Sequence, residues 1–301
     1  MSTLHSGATS HATFNPAMWA NVALGLLHRN AVMPRLVTRE YEPIVATQGK
    51  SVTIPKRGVP VVQMKTSGTP IVPQAIAGSN VTVNLDYHAC CDITVEDVQD
   101  AQSSVKNMMG YLEDQLSVIS AKVDTDLLTV PITAVPAAQI ITSTTGTKTE
   151  ADIVEARRLL NANQVPDDNR FYVCEDYGDL LRIARYTEAD KLAKAGRIIE
   201  GQCGRVTGFD CFEDSRVVAV TGSAGFYNNL FFWKRAIALV TRPLALPPAG
   251  MGVQAYYAEK DGLGIRLLYG YDIGNRGVTL AIDILYGIGV VESKGIILYR
   301  V

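Results

Sequence analysis

The chain has 301 residues, of which 47% are hydrophobic and 19% charged, and its formal net charge is −2. This length supports one large domain or two modest ones with a sizeable core, and the composition excludes disorder of the bulk of the chain. Lys and Arg form no cluster of the kind that grips nucleic acid, and no apolar run reaches the roughly 18 residues of a membrane span.

The opening stretch MSTLHSGATSHATF is small and polar and reads as a mobile arm. It has no basic region followed by an apolar one, so no secretory leader is expected. NPAMWANVALGLLHRN follows. Asn15 suits a helix cap and Pro16 a first turn, and Met18, Trp19, Val22, Leu26 and Leu27 share one face. This helix should stop near Asn30, before Pro34.

From Gly49 to Tyr87 the texture changes to short β-branched runs broken by Pro and Gly. It predicts a long hairpin with arms near 51–56 and 80–87 and a wandering tip. The hairpin carries Val52, Ile54, Val59, Val61, Val62, Met64, Ile71, Val72 and Ile76, yet a lone hairpin has no core in which to bury them. Two readings stand: it folds back on its own domain, or it lies on a neighbouring subunit. The low charge fraction of the whole chain fits a surface covered by partners.

Next comes the clearest helical pattern, 96–128, with apolar residues from Val98 through Leu112, Leu116, Ile119 and Val123 to Leu127 at spacings of three and four. Thr94 and Asp97 resemble a capping box at its start. The stripe is narrow, so a supercoiled seam is the competing reading, but the β-rich surroundings favour a spine packed on a sheet. A Pro- and Thr-rich crossing, 130–150, marks a boundary. Beyond it Thr149 opens a second helix, 150–163, followed by a buried strand RFYVC, a short helix EDYGDLLRIARY, and strands in VTGFDCF and RVVAV. The last sixty or so residues read as strands separated by Gly, Asn or Asp: KRAIALVTRPL, GVQAYYAE, GLGIRLLYGYD, GVTLAIDILYGIGVV and KGIILYRV.

Residues of catalytic type are present, but not in catalytic patterns. EGQCGRVTGF (200–209) has glycines at the wrong spacing for a Walker or dinucleotide loop and leads into a strand, so it reads as a turn. His5, His11, His28 and His88 form no zinc motif, and no metal or cofactor is expected. No nucleophile elbow occurs. Cys90, Cys91, Cys174, Cys203 and Cys211 are odd in number and without a CxxC pair, as expected of reduced thiols. Of the acid pairs Asp97/Asp100, Asp124/Asp126 and Asp167/Asp168, the second sits late in the spine, where the helix dipole disfavours carboxylates. A hydrogen-bonded or partner-facing role there competes with a general acid–base pair.

The order of parts carries more information than any single motif. WANVALGLLHRNAVMPRLVTREYE, GKSVTIPKRG, VTVNLDYHACCDITVEDVQDAQ, KVDTDLL, NRFYVCEDYGDLL, GRVTGFDCFEDS, FFWKRAIALVTRPL and IRLLYGYDIGNRGVTLAIDILYGIGVV occur in the order of the Hong Kong 97-type fold. The chain resembles the major capsid proteins of tailed phages, in particular the coat-protein branch of short-tailed viruses, over roughly Asn15 to Arg300. The resemblance implies an α+β fold with an N-terminal arm and leading strand (1–48), an extended loop (49–87), a peripheral domain (88–148 and 241–301, with the spine at 96–128) and an inserted axial domain (149–240).

By the same resemblance the chain would be no enzyme. It would self-assemble into the pentamers and hexamers of an icosahedral virion shell built in the host cytoplasm, enclosing DNA without reading its sequence. Its partners would be itself, a scaffolding protein, a portal and a decoration protein. The extended loop should lie across an adjacent subunit, with Trp19, Ile54, Arg57, Val61, Met64, Lys65, Ile71 and Arg205 as contact candidates. No long scaffold-like segment precedes the arm, and no partner Asn is evident for a cross-link from Lys50, Lys56 or Lys65, so no cross-link is predicted. An encapsulin-like compartment shell and an α+β enzyme using Asp124/Asp126 or the Gly201 loop are the competing readings.

Overall fold

In a computed structural model the described residues are 31–41, 49–97, 108–178 and 202–301, apart from 57, 59, 69, 71, 72, 77, 144, 145, 177, 223, 224, 243, 249–252, 261 and 262. The helix read at 15–30, most of the short helix read at 175–186 and the first turns of the spine fall outside them.

A short helix, α1 (Met33–Leu36), precedes a two-stranded ribbon of β1 (Ser51–Lys56) and β2 (Ser79–Asn84), paired antiparallel with Val52 opposite Val83 and Ile54 opposite Val81. β3 (Tyr87–Glu96) follows at once. It enters a sheet with β9 (Ile237–Arg242), β10 (Val253–Lys260), β11 (Leu263–Asp272) and β12 (Gly277–Val290). The order is β10-β11-β12-β3, with β9 pairing the far end of the long β12.

The spine, α2, spans Met108–Ala134 and packs on this sheet as its surroundings predicted. Leu112, Leu116, Ile119, Val123 and Leu127 are buried against Ile265, Leu267, Leu280, Ile282 and Ile284. Ile265 and Leu267, two apart in β11, thus share its buried face.

The spine's C-terminal limit differs from the one read at 128, while its start, read at 96, adjoins residues outside the described ones. Residues 87–96 are a strand, because alternate side chains are exposed along all of it and β12 supplies the ladder. Thr94 therefore makes no helix cap; its hydroxyl meets the Thr279 hydroxyl across the strands at 2.9 Å. Asp97 accepts the Tyr271 hydroxyl at 2.5 Å. At the other end the helix runs on through Pro131 to Ala134. Leu127, Leu128, Pro131 and Val135 bury one continuous flank there, and that burial outweighs the missing proline N–H.

A second sheet has the order β4-β13-β8-β5-β7-β6. Its strands are β4 (Ile140–Thr142), β5 (Arg170–Cys174), β6 (Gln202–Val206), β7 (Phe209–Glu213), β8 (Asn228–Trp233) and β13 (Ile296–Arg300). α3 (Glu150–Ala162) starts where predicted: the Asp152 N–H donates to the Thr149 hydroxyl oxygen at 3.3 Å. Ile153, Ala156 and Leu160 of α3 pack on Tyr172, Phe209, Phe231 and Tyr299, with the Tyr172 and Phe231 rings stacked at 4.0 Å.

Sheet membership cuts across the block limits drawn from sequence. β4 and β13 lie outside 149–240 yet pair with each other and, through β8, with β5. Two further expectations change. VTGFDCF is not one strand but the turn and second arm of the β6–β7 hairpin. RVVAV makes a single bridge, Ala219 to Tyr227, instead of a strand.

Candidate subunit-contact surface

The ribbon's base and tip have different fates. At the base Val52, Ile54, Val83 and Leu85 pack against Ala238 and Val240 of β9, forming a small core. Two glycines of β12 permit this approach. A Cβ at Gly287 would lie 2.3 Å from the Asn84 carbonyl oxygen, and one at Gly289 would lie 2.4 Å from a Val83 methyl. The Lys56 ammonium meets Glu292 at 2.6 Å, and the Arg242 guanidinium donates to the Gly49 carbonyl at 2.7 Å. Fold-back, one of the two readings left open by the sequence, therefore holds for the base.

The tip is different. Val61, Val62, Met64 and Ile76 are 72%, 85%, 91% and 56% exposed. The tip is nevertheless built. The Gln74 amide closes on the Val61 backbone, accepting its N–H at 3.0 Å and donating to its carbonyl at 2.8 Å. Gly68, at φ +88°, turns the chain. Four large apolar side chains on a loop of defined shape form a surface that water does not favour.

The contact candidates sort accordingly. Val61, Met64 and Lys65 lie on the exposed tip. Ile54 is a correction: it is only 3% exposed, because its strand face is turned onto β9 of its own chain. Trp19, Arg57 and Ile71 lie outside the described residues. Arg205 is exposed on the β6–β7 hairpin, 3.9 Å from Asp210, and its guanidinium donates to the Gly208 carbonyl at 3.4 Å. Thr207 and Gly208 both have positive φ, 50° and 94°, the signature of a tight two-residue hairpin turn. Gly208 serves backbone geometry, as the sequence indicated, and Gly201 lies outside the described residues.

Asp100 lies outside the described residues, and the other members of the acid pairs have internal partners. Asp124 is fully buried; it accepts the N–H groups of Val32 and Met33, each at 3.0 Å, and the Arg216 guanidinium at 2.9 Å. Burial, and then the nearby Asp214 carboxylate, push its pKa up to about 7. Asp126 accepts Lys122 at 2.6 Å and the Tyr286 hydroxyl at 2.6 Å. Burial first, and then this carboxylate, raise the Tyr286 phenol. Asp167 pairs with the buried Arg170 at 2.9 Å, and Asn169 donates to Asp168 at 3.1 Å. The hydrogen-bonded reading of Asp124/Asp126 thus describes what both carboxylates do. The sequence signal was their place late in an amphipathic helix, but neither Val32 nor Tyr286 was readable as a partner. Among the described residues no group of three or more His, Cys, Asp or Glu is arranged to hold a metal.

No protein-family model matches the chain, and no curated protein is similar to it. Solved structures are similar in fold. A chain from Mycobacterium phage Che8 superposes with a TM-score of 0.62 at 20% identity, covering 89% of this chain and 90% of that one. A capsid chain of the cyanophage P-SCSP1u gives 0.63 at 16%, covering 89% and 87%. A capsid chain of Ralstonia phage GP4 gives 0.61 at 13%, covering 90% and 87%. The chain has the α+β fold of these capsid structures, the Hong Kong 97-type fold.

Proposed function

We propose that this chain is the major capsid subunit of a tailed phage, a structural protein that assembles with copies of itself into a virion shell. The observation that carries the reading is a built loop with exposed Val61, Val62, Met64 and Ile76, on a fold shared with phage capsid chains over about nine-tenths of its length. A monomer gains nothing from holding four apolar side chains in water; a neighbouring subunit supplies the cover.

In this reading the shell is icosahedral, made of pentamers and hexamers, assembled in the host cytoplasm with a scaffolding protein and a portal, and open to a decoration protein. It encloses DNA without sequence-specific contacts, consistent with a net charge of −2. The α2-backed sheet serves as the peripheral domain. The six-stranded sheet with α3 serves as the axial domain, to which β4 and β13 also belong. Asp124 and Asp126 serve as structural anchors with no catalytic task, since both carboxylates are engaged by internal donors.

Negative-stain microscopy of the purified chain, alone and co-expressed with its neighbouring genes, tests this. Rings or closed shells are expected. A stable monomer under every condition overturns the reading, and shells loaded with enzyme cargo in place of DNA would assign the fold to a compartment.

A further inference from the structure

Two carboxylates and one cation meet in the interior, where the spine touches the corner after β7. Asp124 of α2 is 0% exposed and Asp214 of the corner 4%. The Arg216 guanidinium lies between them, 2.9 Å from Asp124 and 3.5 Å from Asp214, and keeps 27% of its side chain exposed. The corner is a turn. The Arg216 N–H donates to the Asp214 carboxylate at 3.0 Å, and the Val217 N–H donates to the Asp214 carbonyl at 3.2 Å. Val217 anchors the corner in the core that also contains the spine's apolar face.

The charges of this cluster do not balance. With both carboxylates ionised, the single guanidinium leaves a surplus negative charge in the interior, which is costly. The donors are also unevenly shared. The Val32 and Met33 N–H groups and Arg216 occupy both oxygens of Asp124. One oxygen of Asp214 holds the turn, and the other, Oδ2, is buried with no hydrogen-bond partner among the described residues. Among those residues the charged groups acting on Asp124 are Asp214 and Arg216, the one acting on Asp214 is Arg216 again, and α1 faces the cluster with backbone N–H groups. Burial is the first cause raising both carboxyl pKa values, and such a pair gains and loses its proton as a unit.

We propose that Asp124, Arg216 and Asp214 form a proton-operated latch that shuts the corner after β7 onto the spine. One proton shared by the two carboxylates leaves the cluster neutral and the corner shut. Its release leaves Asp124 with Arg216 and two N–H groups, a satisfied neutral pair, and leaves Asp214 with the surplus charge and an unpartnered Oδ2. Asp214 then turns out to water and draws Val217, three residues on, from the core. α1 stays on the spine in both states, because Val32 and Met33 donate to Asp124 alone. Both pKa values are raised, so the latch is shut at lower pH and opens as pH rises through about 7. The latch belongs to the single subunit and does not depend on the shell reading.

The test follows amide hydrogen exchange of the full chain from about pH 5.5 to about pH 8.5, corrected for the intrinsic pH dependence of exchange. Residues 214–218 are expected to exchange about tenfold faster above the transition than below it, while the spine around 119–128 keeps one rate. Infrared difference spectra over the same range should show a protonated-carboxyl band lost with the same midpoint. D214N keeps the side-chain shape without the charge; it is expected to hold the corner shut at every pH and to abolish the band. R216Q withdraws the cation and is expected to move the midpoint up. If either variant does not fold, the wild-type exchange profile and carboxyl band decide alone. Corner exchange that ignores pH in the wild type overturns the proposal. So does a D214N chain that keeps the wild-type transition, an R216Q midpoint that stays or falls, or spine exchange that rises together with the corner.

Discussion

The Met33 N–H donates to the Asp124 carboxylate at 3.0 Å across 91 positions of sequence. With the Val32 N–H and the Arg216 guanidinium on its other oxygen, at 3.0 and 2.9 Å, this carboxylate ties α1, the spine and the corner after β7 into one joint. Removing it strands two buried N–H groups and a partly buried cation. D124A is expected to lower unfolding free energy by about 3–5 kcal/mol, measured by urea denaturation. A loss below about 1 kcal/mol would mean that the joint relaxes around the gap.

The same group makes stability depend on pH. Its folded-state pKa, about 7, lies above the ordinary carboxylate value of 3.8. Between those values the folded chain holds a proton that the unfolded chain has released, so this group's contribution to stability falls as pH rises from about 4 to about 7 and is level above that. The difference in unfolding free energy between wild type and D124N should show this negative slope. A flat or rising difference would mean that Arg216 and the two N–H groups keep Asp124 ionised.

The Tyr286 hydroxyl donates to Asp126 at 2.6 Å while its ring stacks on Tyr87 at 5.4 Å. Y286F keeps the stack and removes the bond, leaving Asp126 with Lys122. A loss of about 1–2 kcal/mol in chemical denaturation is expected, and a smaller one in a chain already carrying D126N.

Gly287 is the seat of the ribbon. G287A puts a methyl group against the Asn84 backbone, which cannot move as a side-chain end would. The ribbon base should lift, at a cost of about 1–3 kcal/mol, with faster proteolysis between β1 and β2 than in wild type. Equal proteolysis would show that the ribbon stays seated by sliding along β9.

Base and tip of the ribbon should separate in experiment. Replacing 59–77 by a short Gly–Ser turn leaves the buried base intact and should give a folded chain that melts like wild type but forms no shells. I54A, in the base, should instead cost about 2–5 kcal/mol. Assembly by the shortened chain would show that the tip is not an interface.

Much of this was legible because the information is local. RFYVC, the helix opened by Thr149, the glycine turn before Phe209 and the strands of the last third depend on short-range period, caps and positive-φ residues. The contact candidates were legible only as a region. Val61, Met64 and Lys65 stand on the tip, whereas Ile54, on the same alternating pattern, is core, because hydrophobicity does not say which neighbour covers a side chain.

The sequence by itself determined the order of elements, the apolar face of the spine and the cap that opens α3. Each depends only on residues close together along the chain. The tertiary structure alone decided that β3 pairs with β12, that β4 and β13 complete the six-stranded sheet, and that Asp124 holds residues 32 and 33. Each of those depends on a partner far away in sequence: β12 for β3, β8 for β13, and α1 for the carboxylate. A ladder hydrogen bond or a buried charge takes its energy from the partner that satisfies it, and that partner is specified only once the chain has folded.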